Sequence, residues 1–436
     1  MKLKETVKYF RFDDFVYLRD TGTFKDYLYN ETVYDILQIL SQTPDCSEEH
    51  LLRKLSERYE IEDYAAFHND IAAFLRELQE DRLLLDGAAV PAEAPPDISE
   101  EVQQYCEKNH RLFQVCLELT YRCNLKCVHC YIDEQDFGQE LDFDTYRAVI
   151  DELARMGCSY VLLTGGEVSL HPAFPDIAEY AAGKGLLVNI YTNGYHLSDR
   201  LLGRLIDFHP NSISFSLYGA GPEVHDLVTG IPGSFEKSLR AVMACKCAGV
   251  DTFIKTIALK QNVSDLEALF QLGQRLNIPV SMAKLVLPST HGVKRCEDLG
   301  LDTANDYFEL FQLEAKYKHS FPKKREPNKG AFFCSAGLST LSIDPYGDVR
   351  PCSSLKTIFG SVKHEKLQDI WERSEADLDR VLPKSPVSAR CDSCDFAEYC
   401  SVCPGALTIK GGVSQCNSHI CAIAKGAHMY SIHAGR

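Results

Sequence analysis

The period of the apolar positions changes along the chain. Apolar and polar residues alternate over YFRFDDFVYLRD and DYLYN near the start, which predicts extended strands. Helical spacing follows in Val33, Ile36, Leu37 and Leu40, and again in Ile71, Phe74, Leu75 and Leu78. Ser47 ahead of Glu48 and Glu49 predicts a capped helix start with acids in its first turn. Two or three strands followed by three helices make a winged-helix-like unit over residues 1–86. GAAVPAEAPPD then breaks the pattern. It holds too little bulky apolar content to pack and its prolines stop helices, so residues 87–109 are expected to be a linker.

From residue 110 to about 290 the pattern is strand, helix, strand, helix. LFQVCLELT, YVLLTGGE, LLVNIYTN, SISFSLYG, TFIKTIAL and PVSMAKLVL are six apolar strand candidates separated by helical stretches. Such repetition predicts an α/β domain over 110–325, with parallel strands joined by crossover helices. The polar departures from the pattern cluster at the carboxyl ends of these strands, where such folds place their chemistry. In 326–436 the periodicity weakens and cysteines crowd in, which predicts a domain held by metal more than by a large core.

Composition narrows the function. The chain has 436 residues and a formal net charge of −16, which disfavours a nucleic-acid partner and an anionic membrane surface. No long apolar run resembles a signal or a membrane span, so a cytoplasmic protein is expected. Eighteen cysteines in a reducing compartment read as metal ligands, catalytic thiols or core residues in place of a disulfide framework.

The first strand candidate ends in LTYRCNLKCVHCY, where Cys123, Cys127 and Cys130 have the spacing C-x3-C-x2-C. Three thiolates wrapped this closely can hold three corners of a 4Fe–4S cube and leave one iron open. Zinc is the alternative, although structural zinc asks for four ligands in closer pairs. The next strand ends in Gly165, Gly166 and Glu167: two glycines that let a backbone come close, and a carboxylate suited to an ammonium group. Asn193 in YTNG and Ser216 in SFSLYG end the third and fourth strands.

These residues resemble the radical S-adenosylmethionine (radical SAM) superfamily. Cys123, Cys127 and Cys130 match its cysteine signature, and Gly165–Glu167 its second motif. The resemblance implies a partial (β/α)6 barrel, a 4Fe–4S cluster on the three cysteines, and S-adenosyl-L-methionine bound with help from Gly165, Gly166, Glu167, Asn193 and Ser216. It also implies a flavodoxin or ferredoxin as electron donor. Tyr218 stands where many relatives carry an aspartate, which puts ribose contacts from that strand in doubt.

A second cysteine set begins at Cys334 and continues through SIDPYGDVRPC, ending at Cys352. Cys391, Cys394, Cys400 and Cys403 follow with the spacing C-x2-C-x5-C-x2-C, and Cys416 and Cys421 complete it. This stretch resembles the SPASM extension of radical SAM peptide-modifying enzymes, which implies two auxiliary 4Fe–4S clusters and three in all. Cys334, Cys352 and Cys403 are implied ligands of the first; Cys391, Cys394, Cys400 and Cys421 of the second. Cys416, a substrate thiolate or an open iron is left for the fourth position of the first. Two zinc sites are the competing reading of the same cysteines.

Residues 1–86 resemble the peptide-recognition element of enzymes that tailor ribosomally made peptides, which implies a precursor whose leader docks by strand addition. The layout as a whole is similar to sactipeptide and ranthipeptide maturases. It implies thioether formation: a 5′-deoxyadenosyl radical takes a hydrogen from an acceptor residue and a cysteine sulfur bonds to that carbon. Carbon–carbon crosslinking, decarboxylation and formylglycine formation are the alternatives on this scaffold. A non-catalytic iron–sulfur or zinc protein that binds a peptide is the alternative from another class. No acid or base is nominated.

Overall fold

In a computed structural model the described residues are 1–23, 25–43, 46–85, 99–133, 138–289, 296–318, 322, 334–381, 394–400, 403–408 and 418–435. They form two compact units, Met1–Asn109 with Gly185–Leu187, and His110–Lys184 with Val188–Arg436.

The first unit opens with an antiparallel sheet of β1 (Val7–Arg11), β2 (Phe15–Asp20) and β3 (Lys25–Asn30), in the order β1-β2-β3. The run YFRFDDFVYLRD therefore folds as two strands. Its alternation continues straight across a tight turn closed by Phe12 N–H donating to the Phe15 carbonyl at 2.8 Å. Helices α1 (Val33–Gln42), α2 (Glu48–Ser56) and α3 (Tyr64–Glu80) follow. Ser47 caps α2 by accepting from the His50 amide at 3.1 Å. Val16 and Leu18 of β2 pack with Leu37, Leu40, Leu51, Leu55, Leu75 and Leu78, which are the helical positions that face the sheet. Within the stretch read as linker, Ser99–Lys108 is a helix, α4. Tyr105 of α4 packs edge-on against Phe12 and Phe15, with ring centroids 5.9 and 5.0 Å away. The prolines stop just short of its first turn, which carries Glu100 and Glu101.

The second unit alternates strands and helices: β4 (Gln114–Thr120), α5 (Phe143–Arg155), β5 (Tyr160–Gly165), α6 (Phe174–Gly183), β6 (Leu187–Thr192), α7 (Asp199–Asp207), β7 (Ser212–Ser216), α8 (Pro222–Thr229), α9 (Ser234–Cys247), β8 (Thr252–Ile257), α10 (Leu266–Leu276) and β9 (Val280–Ala283). Then come α11 (Ala304–Lys318), β10 (Thr340–Ile343), β11 (Asp348–Arg350), β12 (Gly360–Ser361), α12 (Leu367–Val381), α13 (Pro404–Thr408) and α14 (Ser418–His433). The sheet runs β12-β11-β10-β4-β5-β6-β7-β8-β9 and does not close. All six apolar runs become strands β4–β9, the partial (β/α)6 barrel that the resemblance implies. β10 adds to β4 in parallel, while β10–β11 and β11–β12 are antiparallel. The hairpin that carries Cys352 is thereby welded to the strand that leads into the first cysteine cluster. Among the described residues no helix is long and apolar enough to cross a membrane.

Candidate functional site

The loop after β4 carries Cys123, Cys127 and Cys130, and three neighbours hold it. The loop after β5 runs against it: Gly166 N–H donates to the Thr120 carbonyl at 2.7 Å and Glu167 N–H to the Arg122 carbonyl at 3.0 Å. Only glycine permits this approach. A Cβ on Gly165 would lie 2.3 Å from the Thr120 oxygen, at a φ of +137°, and one on Gly166 2.4 Å from the Arg122 oxygen. Helix α8 supplies the second support. Its last carbonyls, which lack helical partners, accept from the cysteine loop: Lys126 N–H to Thr229 at 2.8 Å and Val128 N–H to Val228 at 3.0 Å. The third support is Asn193 after β6, whose Nδ2 donates to Asn124 Oδ1 at 3.0 Å and approaches Cys123 Sγ at 3.9 Å.

Glu167 joins two of these loops. Its buried carboxylate accepts from Ser169 N–H at 3.1 Å, Ser169 Oγ at 2.7 Å, Thr192 Oγ1 at 2.7 Å and Asn193 N–H at 2.7 Å. The carboxylate read from sequence as an ammonium acceptor is thus engaged by four donors of the chain itself. Ser216 ends β7 in register with Lys255 of β8. Tyr218 packs against Cys127, and its ring meets that of His129 edge-on at 4.6 Å.

The three thiols feel one another. Lost hydration raises Cys127 to about 12, with the charges of Cys130 and Cys123 adding to it. Lost hydration also raises Cys123 to about 11, helped by Glu167 and Cys130. Such thiols become thiolates only with a cation among them. Yet among the described residues no three His, Cys, Asp or Glu side chains converge tightly enough to share one metal ion. Three thiols can each hold one iron of a 4Fe–4S cluster and fall one short of the four ligands of structural zinc, so the donor set suits a cluster.

The second cysteine set shows the same behaviour. Burial raises Cys352 to about 12, and the charges of Cys334 and Cys403 push in the same direction. Cys394, Cys400 and Cys421 are half-buried, while Cys391 and Cys416 lie outside the described residues. Cys296, the cysteine nearest upstream of Cys334, packs instead at the first loop, its thiol 3.4 Å from the Cys130 carbonyl.

Sequence reasoning missed Glu118. β4 reads as an apolar run, but Gln114, Cys116, Glu118 and Thr120 share one face of it. That period-two polar stripe was the available signal. Burial raises Glu118 to about 7; Arg350 lowers it and Asp344 raises it.

Residues 117–273 match the Radical SAM superfamily, 334–404 the SPASM iron–sulfur cluster-binding domain, and 20–84 Coenzyme PQQ synthesis protein D (PqqD). The chain is 31% identical to Mycofactocin maturase MftC of Mycolicibacterium smegmatis over 305 residues, 66% of this chain and 76% of that protein. It is 26% identical to AdoMet-dependent heme synthase of Methanosarcina barkeri over 321 residues, 66% of this chain and 90% of that protein. The structure of Streptococcus suis SuiB bound to precursor peptide SuiA superimposes with a TM-score of 0.61 at 14% identity, covering 96% of this chain and 99% of that one. At that identity the likeness is one of fold.

Proposed function

The chain belongs to the radical SAM superfamily, with S-adenosylmethionine and iron–sulfur clusters as its cofactors, and from that premise we propose that it oxidises a ribosomally made precursor peptide by forming thioethers. The observation that carries the reading is the combination in one chain of a PqqD match over 20–84, a radical SAM match and a SPASM match. The fold likeness to SuiB, which was solved with a precursor peptide, supports it.

Residues 1–86 take the leader, 110–325 form the barrel and 326–436 carry the auxiliary centres, with 87–109 between the first two. β3 is an edge of its sheet and exposes Leu28, so an extended leader can add beside it. Cys123, Cys127 and Cys130 hold one 4Fe–4S cluster. Cys334, Cys352 and Cys403 hold a second, and Cys391, Cys394, Cys400 and Cys421 a third. When bound, the first cluster and S-adenosylmethionine together supply the 5′-deoxyadenosyl radical, with the reducing electron coming from a flavodoxin or ferredoxin. Gly165, Gly166, Asn193 and Ser216 border the cofactor. Glu167 borders it too, and its carboxylate also fixes the loops after β5 and β6. The chain's remaining task is to fix distances and exclude water while a peptide carbon loses hydrogen and a cysteine sulfur bonds to it. The protein works in the cytoplasm.

The relatives include a heme synthase, so porphyrin chemistry is the second reading. The PqqD match favours a peptide over a porphyrin. Anaerobic turnover with S-adenosylmethionine, a chemical reductant and a cysteine-containing candidate precursor peptide, sought among short reading frames beside the gene, separates the two. The peptide reading expects 5′-deoxyadenosine and a lighter peptide. Turnover of an iron porphyrin with the peptide untouched contradicts it.

A further inference from the structure

The six barrel strands β4–β9 contain one acidic residue, Glu118, and one basic residue, Lys255. Burial alternates along β6–β9. Ile190, Ile213, Phe215 and Ile254 are fully buried, while Asn189, Tyr191, Ser216 and Lys255 beside them are partly exposed and Ser281 is exposed. The buried set faces the helices. A Cβ on Gly273 of α10 would lie 2.4 Å from Val280 Cγ2, so Ser281, the next residue of β9, points the other way, into the barrel. Register places Lys255 between Ser216 and Ser281 on this inner face. Its Nζ donates to the Tyr191 hydroxyl and stands 4.1 Å from the centroid of that ring. Among the described residues no carboxylate pairs with Lys255, whereas Glu118 accepts from Tyr121, Tyr131 and Ser342.

Depth separates this cation from the cofactor loops. Ile257, two residues nearer the carboxyl end of β8 on the same face, packs in one cluster with Cys127 and Val128. Two residues of strand set Lys255 roughly 7 Å below that level. Tyr191, which holds its ammonium, is in register with Ser214 and through it with Phe253, a further step toward the amino ends of the strands. A half-buried ammonium without an anion has lost hydration that a bound carboxylate replaces. Accepting from Lys255 leaves the Tyr191 O–H free to donate, so the pair offers a carboxylate two hydrogen bonds, one of them from a cation. We propose that Lys255 and Tyr191 bind a carboxylate of the precursor peptide, an Asp or Glu side chain or its C-terminus, and so set which peptide carbon meets the radical. The proposal rests on the peptide-oxidation reading above. The pair binds and orients, and makes or breaks no covalent bond.

The test uses the cluster-loaded full chain and candidate precursor peptides from short reading frames beside the gene. Each is synthesised in three forms: native, amidated at the C-terminus, and with the Asp and Glu of the processed segment changed to Asn and Gln. Peptide kcat and KM and the Kd of S-adenosylmethionine are measured for wild type, Lys255→Met, Lys255→Arg and Tyr191→Phe. On wild type one of the two neutralised forms should lose about 10- to 100-fold in kcat/KM, mostly through KM, and which form loses identifies the source of the carboxylate. Lys255→Met should lose as much with native peptide and no more with that neutralised form, a coupling that a merely structural role would not produce. Lys255→Arg should keep most of the affinity, and Tyr191→Phe should lose about tenfold. The Kd of S-adenosylmethionine should stay within about twofold throughout. Equal kcat/KM for all three forms on wild type overturns the proposal, as does a loss in Lys255→Met that is the same for native and neutralised peptide. Weaker S-adenosylmethionine binding by Lys255→Met with unchanged peptide KM assigns the cation to the cofactor and overturns it too. Wild type that cleaves the cofactor but converts none of the peptides overturns the peptide reading and this proposal with it.

Discussion

Gly166 shows how one missing methyl group holds a cofactor loop in place. A side chain there meets the Arg122 and Tyr121 carbonyls at 2.4 and 2.6 Å, and both belong to backbone that leads into Cys123. Gly166→Ala is expected to cost roughly 2 kcal/mol and to displace the cysteine loop. Iron content per reconstituted chain should fall by about one cluster, and full loading would contradict this packing role. Glu167→Gln swaps an oxygen that accepts for an amide that donates, among groups that are themselves donors. Roughly 2 kcal/mol of stability should go, read as a lower urea midpoint. Glu118 makes a prediction of opposite pH sense to an ordinary paired carboxylate. Its folded form keeps a proton up to about 7 against an ordinary 4.5, so the folded state binds more protons between those values. Stability therefore falls as pH rises through that window, by up to roughly 3 kcal/mol. Urea midpoints of wild type should decline from pH 5 to pH 8 more steeply than those of Glu118→Gln; parallel slopes would show that the carboxyl is ionised throughout.

At the scale of elements, β3 is where the first unit meets its proposed ligand. If the leader adds there, the amides of Lys25–Asn30 gain protection from hydrogen exchange when the peptide is present. Protection confined to other elements would contradict strand addition. The elements legible in the sequence were those with a strong local period. β4–β9 stood out because buried parallel strands are continuous apolar runs, and α1–α3 because their inward stripes repeat at helical spacing. Two elements escaped for local reasons. The turn at Asp13 and Asp14 is too tight to interrupt the alternation of β1 and β2. The Ala/Pro run concealed the start of α4. The pairing of β10 with β4, Ser342 opposite Cys116, is a contact between residues far apart in sequence, and no periodicity reveals it. Glu118 stayed hidden for that reason: its meaning comes from Ser342, Arg350 and Tyr131, which only the folded sheet brings to it.

On the scale of the whole molecule, one chain carries three matched regions, PqqD over 20–84, radical SAM over 117–273 and the SPASM iron–sulfur domain over 334–404, and the proposed function assigns them leader recognition, radical chemistry and further clusters in that order. The cysteine motifs were legible in sequence because their ligands are local. Gly166 and Asn193 were legible as site residues, but that they and the end of α8 brace the cysteine loop was not, since they arrive from three different strand–helix units. The most direct measurement is the mass of a cysteine-containing candidate precursor peptide, sought among short reading frames beside the gene, after anaerobic co-expression with this protein, taken before and after thiol alkylation. A loss of two hydrogens for each modified cysteine, with those cysteines refusing the alkylating agent and fragmentation excluding a disulfide, is the predicted result. A peptide of unchanged mass, or one that loses hydrogens while every thiol still reacts, would contradict thioether formation.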